Sequence, residues 1–183
     1  MSRIATLDLL HPACHDRVLD LQARIELAKL PLKSYETLRS PWRQAELYAR
    51  GRAKGNVQKK VTKARAWESR HQYGMAVDMV FFIGGAWTWD EPEAGAWDAY
   101  HALARGCDLW PLGFEKPHVE LMWNADALKA GHLPAGYADT AFADTFEEWC
   151  ERWGSHPRTE AGLVHPGAPP LRDLDRPELD DVG

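Results

Sequence analysis

The spacing of apolar residues, together with residues that cap helices, predicts five helices along the chain. In three of them the apolar positions recur every three or four residues, which places them on one face. Ser40 followed by Pro41 is typical of a helix start, and Asn124 can cap a short helix. The aromatic stripe from Phe142 to Trp153 is expected in the core. The predicted helices cover residues 13–29, 40–49, 93–105, 124–131 and 142–153.

Three further stretches have the composition of β-strands. The clearest is an apolar run of β-branched and aromatic residues over Ala76–Ile83, closed by Gly84 and Gly85. Alternation along this strand puts Ala76 and Asp78 on one face. The predicted strands cover residues 32–38, 76–83 and 117–122. Helices segregated around so small a sheet indicate an α+β domain.

The chain of 183 residues has the length of one domain with a tail. We place the domain at residues 1–153, because the composition changes after Gly154. Five of the 12 prolines lie beyond that point, and the end of the chain is acidic. Such a composition predicts a Pro-rich, acidic tail over residues 154–183 that is extended or disordered.

Composition excludes several classes of protein. Hydrophobic residues make up 45% of the chain, which is enough for a packed core and argues against global disorder. The net charge of −5 is opposite to the basic excess of a general nucleic-acid binder. No apolar run approaches the roughly 20 residues that span a bilayer, and residues 1–8 lack the basic-then-apolar pattern of a secretory signal. We therefore expect a monomer made in the cytoplasm, with no nucleic-acid partner and no membrane span.

Two of the eight histidines lie in surroundings that predict a metal site. His71 precedes the predicted strand 76–83 and His118 lies in the predicted strand 117–122, each with a carboxylate nearby in sequence. Two imidazoles and one carboxylate form a catalytic zinc set, because three protein ligands leave one tetrahedral position for water. Zinc lowers the pKa of such a water to about 7, and a further carboxylate must then move its proton. Gly74 would let the chain turn sharply between His71 and the strand.

Two carboxylates are candidates for that proton transfer. Alternation puts Glu120 on the same face as His118, where it could act as the base or could instead orient the imidazole. Glu115 precedes the predicted strand, so it can reach over the site without lying in the sheet. The residues alone leave both assignments open.

Several motifs follow one another at fitting separations. Residues 69–78 read Ser-x-His-x-x-Gly-x-Ala-x-Asp, and residues 115–118 read Glu-x-x-His. Upstream, residues 35–48 contain a Tyr, an Arg-Ser pair, a Gln and a Leu-Tyr pair in that order. This series resembles the zinc peptidases that cut peptidoglycan peptides, which include VanY-type D-alanyl-D-alanine carboxypeptidases and the L-alanyl-D-glutamate endopeptidases of phage endolysins. The resemblance covers residues 32–122.

The resemblance implies a Zn²⁺ ion with three protein ligands, in an α+β fold whose small antiparallel sheet carries the site and is flanked by helices. The implied ligands are His71, Asp78 and His118. It implies Glu115 as general base and acid, and Arg39 as the group that stabilises negative charge on the scissile carbonyl oxygen. It also implies that Ser69 contacts the substrate or orients a metal ligand.

The implied function is zinc-dependent hydrolysis of peptidoglycan stem peptides, with residues 1–153 as the catalytic domain. We favour a phage or prophage endolysin that cuts the L-Ala–D-Glu bond and acts at the cell wall after release from the cytoplasm. A D-Ala-D-Ala carboxypeptidase or dipeptidase is an alternative with the same metal chemistry. A zinc-stabilised module that binds the cell wall without catalysis is the alternative from another class.

Residues 50–65, which we name the cationic loop, carry seven cations and no acid. Two glycines and the lack of periodicity predict a loop, and Gln44 is expected to brace it. Its charge could attract the carboxylates of a stem peptide, or the segment could simply be a solvated surface. The sequence leaves both interpretations of the cationic loop open.

Overall fold

Five α-helices form within residues 2–171, the part of the chain that the computed structural model describes. They are α1 (Pro12–Leu27), α2 (Pro41–Ala49), α3 (Ala96–Arg105), α4 (Ala125–Lys129) and α5 (Ala141–Trp153). The predicted caps are confirmed, because the Ser40 side chain accepts a hydrogen bond from the Arg43 amide and Asn124 accepts from the amides of Asp126 and Ala127. No helix in this range combines the length and the apolar composition that crossing a membrane would require.

Seven strands form two antiparallel sheets in the same range. They are β1 (Leu32–Glu36), β2 (Ala76–Ile83), β3 (Ala86–Thr88), β4 (Trp110–Leu112), β5 (Glu115–Glu120), β6 (Arg158–Glu160) and β7 (Leu163–His165). The larger sheet has the order β1-β2-β5-β4, with β3 paired to the end of β2. The three predicted strands are confirmed, and the four three-residue strands are too short to produce a readable pattern. The fold is thus α+β, with a small antiparallel sheet flanked by helices.

Two hydrophobic cores connect the helices and the larger sheet. In the first, helices α1 and α3 share a core with Val77, Met79 and Phe81, which are alternate residues of β2. In the second, the aromatic stripe of α5 is buried around Trp67, as predicted. Because side chains alternate along a strand, the first core leaves Asp78 on the opposite face of the sheet.

The first part of the predicted tail is ordered against the domain. The sequence predicts an extended or disordered segment, and residues 158–165 take the extended, ordered form of the β6–β7 hairpin. The buried His165 imidazole accepts a hydrogen bond from the Ala66 amide at 3.1 Å, and the Trp153 indole donates to the Pro166 carbonyl at 2.9 Å. The division at residue 153 stays a prediction, and the acidic end from residue 172 onward lies outside the described residues.

Gly74 joins a 3-10 helix (Arg70–Tyr73) to β2 and makes the sharp turn that the sequence predicts. Its φ is +63°, and a Cβ built there would lie 2.5 Å from the His11 amide nitrogen and 2.9 Å from the Phe142 ring. We expect Gly74→Ala to lower the free energy of unfolding by about 3 kcal/mol. Alanine is strained in the left-handed conformation, and its methyl group would overpack against His11 and Phe142, so both effects destabilise the folded state. Chemical denaturation measures the change.

Gly84 supplies the matched control for this substitution. Its φ is +58°, but a Cβ there would meet nothing within 4 Å. We therefore expect Gly84→Ala to cost only the conformational part, about 1 kcal/mol. If the free energy of unfolding falls equally in the two variants, the close packing around Gly74 does not contribute to the effect of Gly74→Ala.

Candidate metal centre

Three side chains from separate elements converge on one buried point. His71 comes from the 3-10 helix, Asp78 from β2 and His118 from β5, where Asp78 and His118 are direct cross-strand partners. One ligand atom from each lies within 4.8 Å of the other two, and all three residues are buried. The structure therefore brings together the three residues that the sequence singles out, and they could hold a metal ion.

The distances between the three atoms suit a small divalent cation. His71 Nε2 lies 3.2 Å from Asp78 Oδ1 and 3.2 Å from His118 Nδ1, and the third distance, from His118 Nδ1 to Asp78 Oδ1, is 3.1 Å. Four ligands about 2.0–2.1 Å from a tetrahedral zinc ion are about 3.3 Å apart. The triangle thus matches one face of such a tetrahedron and leaves its fourth corner for another ligand.

The outer nitrogens of the two imidazoles fix which atoms face the centre of the triangle. His71 Nδ1 donates to the Thr37 carbonyl oxygen at 2.6 Å, and His118 Nε2 donates to Glu120 Oε2 at 3.0 Å. In the neutral rings the inner nitrogens then carry lone pairs. When both rings are neutral, two bare nitrogens and a carboxylate oxygen face one another, and a cation at the centre satisfies all three. The donor set fits a metal ion on this observation alone.

Arg39 holds the other oxygen of the Asp78 carboxylate. Its Nη2 donates to Asp78 Oδ2 at 3.0 Å and to Glu36 Oε2 at 2.7 Å, while its Nη1 donates to Gln44 Oε1 at 3.0 Å. Burial by itself would raise the pKa of Asp78, but His71, His118 and Arg39 hold it well below its usual value. Asp78 is therefore a fixed carboxylate anion.

The environment of His118 also favours positive charge at the site. Burial would lower the pKa of its imidazole, but the hydrogen bonds to the Asp78 and Glu120 carboxylates raise the pKa to about 9. The surrounding carboxylates therefore stabilise a cation at the centre, whether it is a proton or a metal ion.

Glu115 faces the site from the first position of β5. The sequence predicts that it precedes the strand, and this is wrong, since Glu115 pairs with Leu112 of β4. The register between β4 and β5 shifts between Pro111 and Leu112, and such a bulge can redirect a side chain toward a site. Within residues 2–171 the Glu115 carboxylate has no hydrogen bond or ion pair, so it is available to a ligand.

Glu120 occupies a different place from Glu115. One of its carboxylate oxygens accepts from His118 Nε2, and the other lies 3.2 Å from Arg70 Nη1. Both oxygens are therefore engaged, in the position from which a carboxylate orients a metal-binding imidazole. The contacts favour the orienting role among the two that the sequence leaves open.

A cavity of about 600 Å³ opens beside the three converging residues. Its walls include Arg39, Ser69 and Glu115, together with part of the cationic loop. Gln44 braces that loop as predicted, because its side-chain amide donates to the Ala64 carbonyl at 2.7 Å. The roles of Ser69 and Arg39 toward substrate stay predictions.

One residue that the sequence analysis leaves without a role lies behind the site. Glu36 is buried at the end of β1 and forms ion pairs with Arg39 and Arg43. It anchors the guanidinium that in turn holds Asp78. Its position three residues before Arg39 is the only sequence signal for this pairing, and exposed pairs have the same spacing.

The comparisons with known proteins bear on the same part of the chain. Residues 8–101 match the family model described as VanY: D-alanyl-D-alanine carboxypeptidase. This range includes Arg39, His71 and Asp78 and ends before Glu115 and His118. Among solved structures, the L-Ala D-Glu endopeptidase ChiX of Serratia marcescens is similar, with 24% identity and a TM-score of 0.41, over 66% of this chain and 90% of that chain. No curated protein matches.

Proposed function

The chain belongs to the VanY family of D-alanyl-D-alanine carboxypeptidases, and from this membership we propose that it is a zinc-dependent peptidase of peptidoglycan stem peptides. The observation that carries the proposal is the triangle of three acceptor atoms formed by His71, Asp78 and His118 beside an open cavity. A mixed nitrogen and oxygen donor set with one open corner is the usual arrangement of catalytic zinc.

The residues around the triangle have different roles in the proposed reaction. A zinc ion bound there would polarise the scissile carbonyl and make water a nucleophile at neutral pH. The Glu115 carboxylate has no hydrogen bond or ion pair among the described residues and can accept a proton. It takes a proton from the attacking water and transfers it to the leaving amine. Glu120 orients His118, and Arg39 orients Asp78 while its positive charge lies at the cavity wall, where the predicted stabilisation of the carbonyl oxygen would occur.

The shape of the cleft supports cleavage within a peptide. A second cavity of about 370 Å³ shares Phe114 and Glu115 with the first, and Asp78 lines it. Space therefore continues on both sides of the proposed site, as a substrate that extends beyond the scissile bond in both directions requires. We accordingly propose the L-Ala–D-Glu bond as the one cut. The phage origin stays a prediction.

The family description favours a second candidate, a D-Ala-D-Ala carboxypeptidase, for which we propose the same ligands and the same base. A non-catalytic binding module would not need the unpaired carboxylate of Glu115. Its availability beside the triangle therefore supports catalysis over binding alone.

Digestion of purified peptidoglycan and of defined stem peptides separates these candidates. We expect mass spectrometry to find fragments with new D-Glu amino termini and intact D-Ala-D-Ala ends. Release of free D-Ala would instead assign the carboxypeptidase activity. Binding of peptidoglycan with no new terminus, in a preparation shown to contain zinc, would overturn the peptidase and leave the binding module.

A further inference from the structure

The first cavity has a wall of uneven charge. Part of that wall is the cationic loop, which contributes Arg52, Lys60 and Lys63. The chain as a whole carries a net charge of −5, so this concentration of positive charge is local. A cation that has no acidic partner within the protein can bind an anionic ligand.

Most charges that line the first cavity already have protein partners. Arg70 pairs with Glu120, and Glu68 pairs with Arg65. Arg52 donates to two backbone carbonyls and packs over the ring of Tyr48. The fold holds these side chains in place, because their donors or acceptors already have partners within the protein.

Among the cations of this wall, Lys60 and Lys63 are the exceptions. Within residues 2–171 neither ammonium group has a hydrogen bond or an acidic partner, and both side chains are exposed. The Lys63 Nζ lies 5.4 Å from the centre of the Phe114 ring, and Phe114 is the neighbour of Glu115. The free positive charge therefore extends to the part of the cleft beside the proposed base.

The second cavity differs in character. Its walls include the aromatic side chains of Tyr35, Trp89 and Trp97 and none of the cationic loop. The second cavity has one cation, Lys116, beside the carboxylates of Asp78 and Glu115, whereas the first has more cations than carboxylates. The two cavities meet at Phe114 and Glu115, so the positive charge of the cleft is concentrated in the first. An anionic group of a bound peptide is therefore better placed in the first cavity.

We propose that Lys63, assisted by Lys60, binds a carboxylate of the substrate in the first cavity and makes the enzyme selective for anionic peptides. This assignment rests on the peptidase function proposed above. Stem peptides offer such a carboxylate from two sources. One is the free carboxyl group of a D-Glu residue whose other carboxyl group continues the chain, and the second is the carboxyl terminus of the peptide.

Three synthetic stem peptides test the assignment. The first has both carboxylates free, the second has the D-Glu carboxyl amidated, and the third has the terminal carboxyl amidated. Each is assayed for kcat/KM with the wild type, Lys63→Met, Lys63→Arg and Lys59→Met. Lys59 belongs to the cationic loop, is exposed and does not line the cavity, so it is the matched control.

We expect the wild type and Lys59→Met to cleave the free acid about tenfold better than one of the two amides, as a charge-assisted hydrogen bond predicts. The amide that the wild type cleaves more slowly shows which of the two substrate carboxylates Lys63 binds. Lys63→Met should lose this preference by slowing on the free acid alone, and Lys63→Arg should keep most of it.

The outcomes distinguish failure of the subsite from failure of the function. Equal cleavage of all three peptides by the wild type, or an unchanged preference in Lys63→Met, overturns the role of Lys63 and leaves the peptidase intact. Absence of cleavage of every peptide by the zinc-loaded wild type overturns the peptidase, and this assignment with it.

Discussion

Replacing Glu115 by Gln is expected to lower kcat/KM for stem-peptide cleavage by about 10³-fold, the usual contribution of a general base and acid. Gln keeps the size of the side chain but can neither take the proton from water nor return it to the amine. The metal content should not change, because Glu115 is not among the three converging residues. Elemental analysis beside steady-state kinetics measures both quantities.

Glu120→Gln is the matched control, because it makes the same chemical change at the rival carboxylate. It weakens the acceptor for His118 Nε2 and the ion pair with Arg70, so we expect metal affinity to fall roughly tenfold to a hundredfold. At saturating zinc most of kcat should remain. If Glu120→Gln is inactive at full zinc occupancy while Glu115→Gln is active, the base is Glu120 and our assignment is wrong.

Removal of the metal is expected to abolish activity and to lower the thermal stability. A ligand that binds only the folded state at a hundredfold excess over its Kd stabilises by about 2.7 kcal/mol, which corresponds to a Tm change of about 5–10 °C in a chain of this length. Chelation followed by addition of Zn²⁺ should reverse both effects. Calorimetry and the peptide assay measure them on the same samples.

Single histidine variants show whether the metal binds where we place it. His118→Ala removes one ligand of the triangle, whereas His156→Ala removes an exposed histidine outside it. We expect zinc to be lost from the first variant and retained by the second. Retention of one zinc per chain in His118→Ala, or a wild-type Tm that chelator does not change, would exclude the proposed centre.

Much of the fold could be predicted because its signals are local. The apolar spacing in α1 and α5, the cap at Ser40 and the run over Ala76–Ile83 each act within a few residues, and the structure has all of them. The short strands could not be predicted, since three residues do not make a pattern. The hairpin over residues 158–165 could not be predicted either, because a Pro-rich composition does not show that His165 is buried.

The sequence alone determined the order and spacing of the site residues, the type of fold and the residue types that suit a metal. These depend on local periodicity and on motifs that can be read in one dimension. Tertiary structure decided how the side chains meet. The β2–β5 register places Asp78 opposite His118, Glu115 lines the cavity beside the β4–β5 register shift, and Arg70 engages Glu120. Such contacts join residues far apart in the chain, and a change of one residue in strand register would turn these side chains to the other face of the sheet.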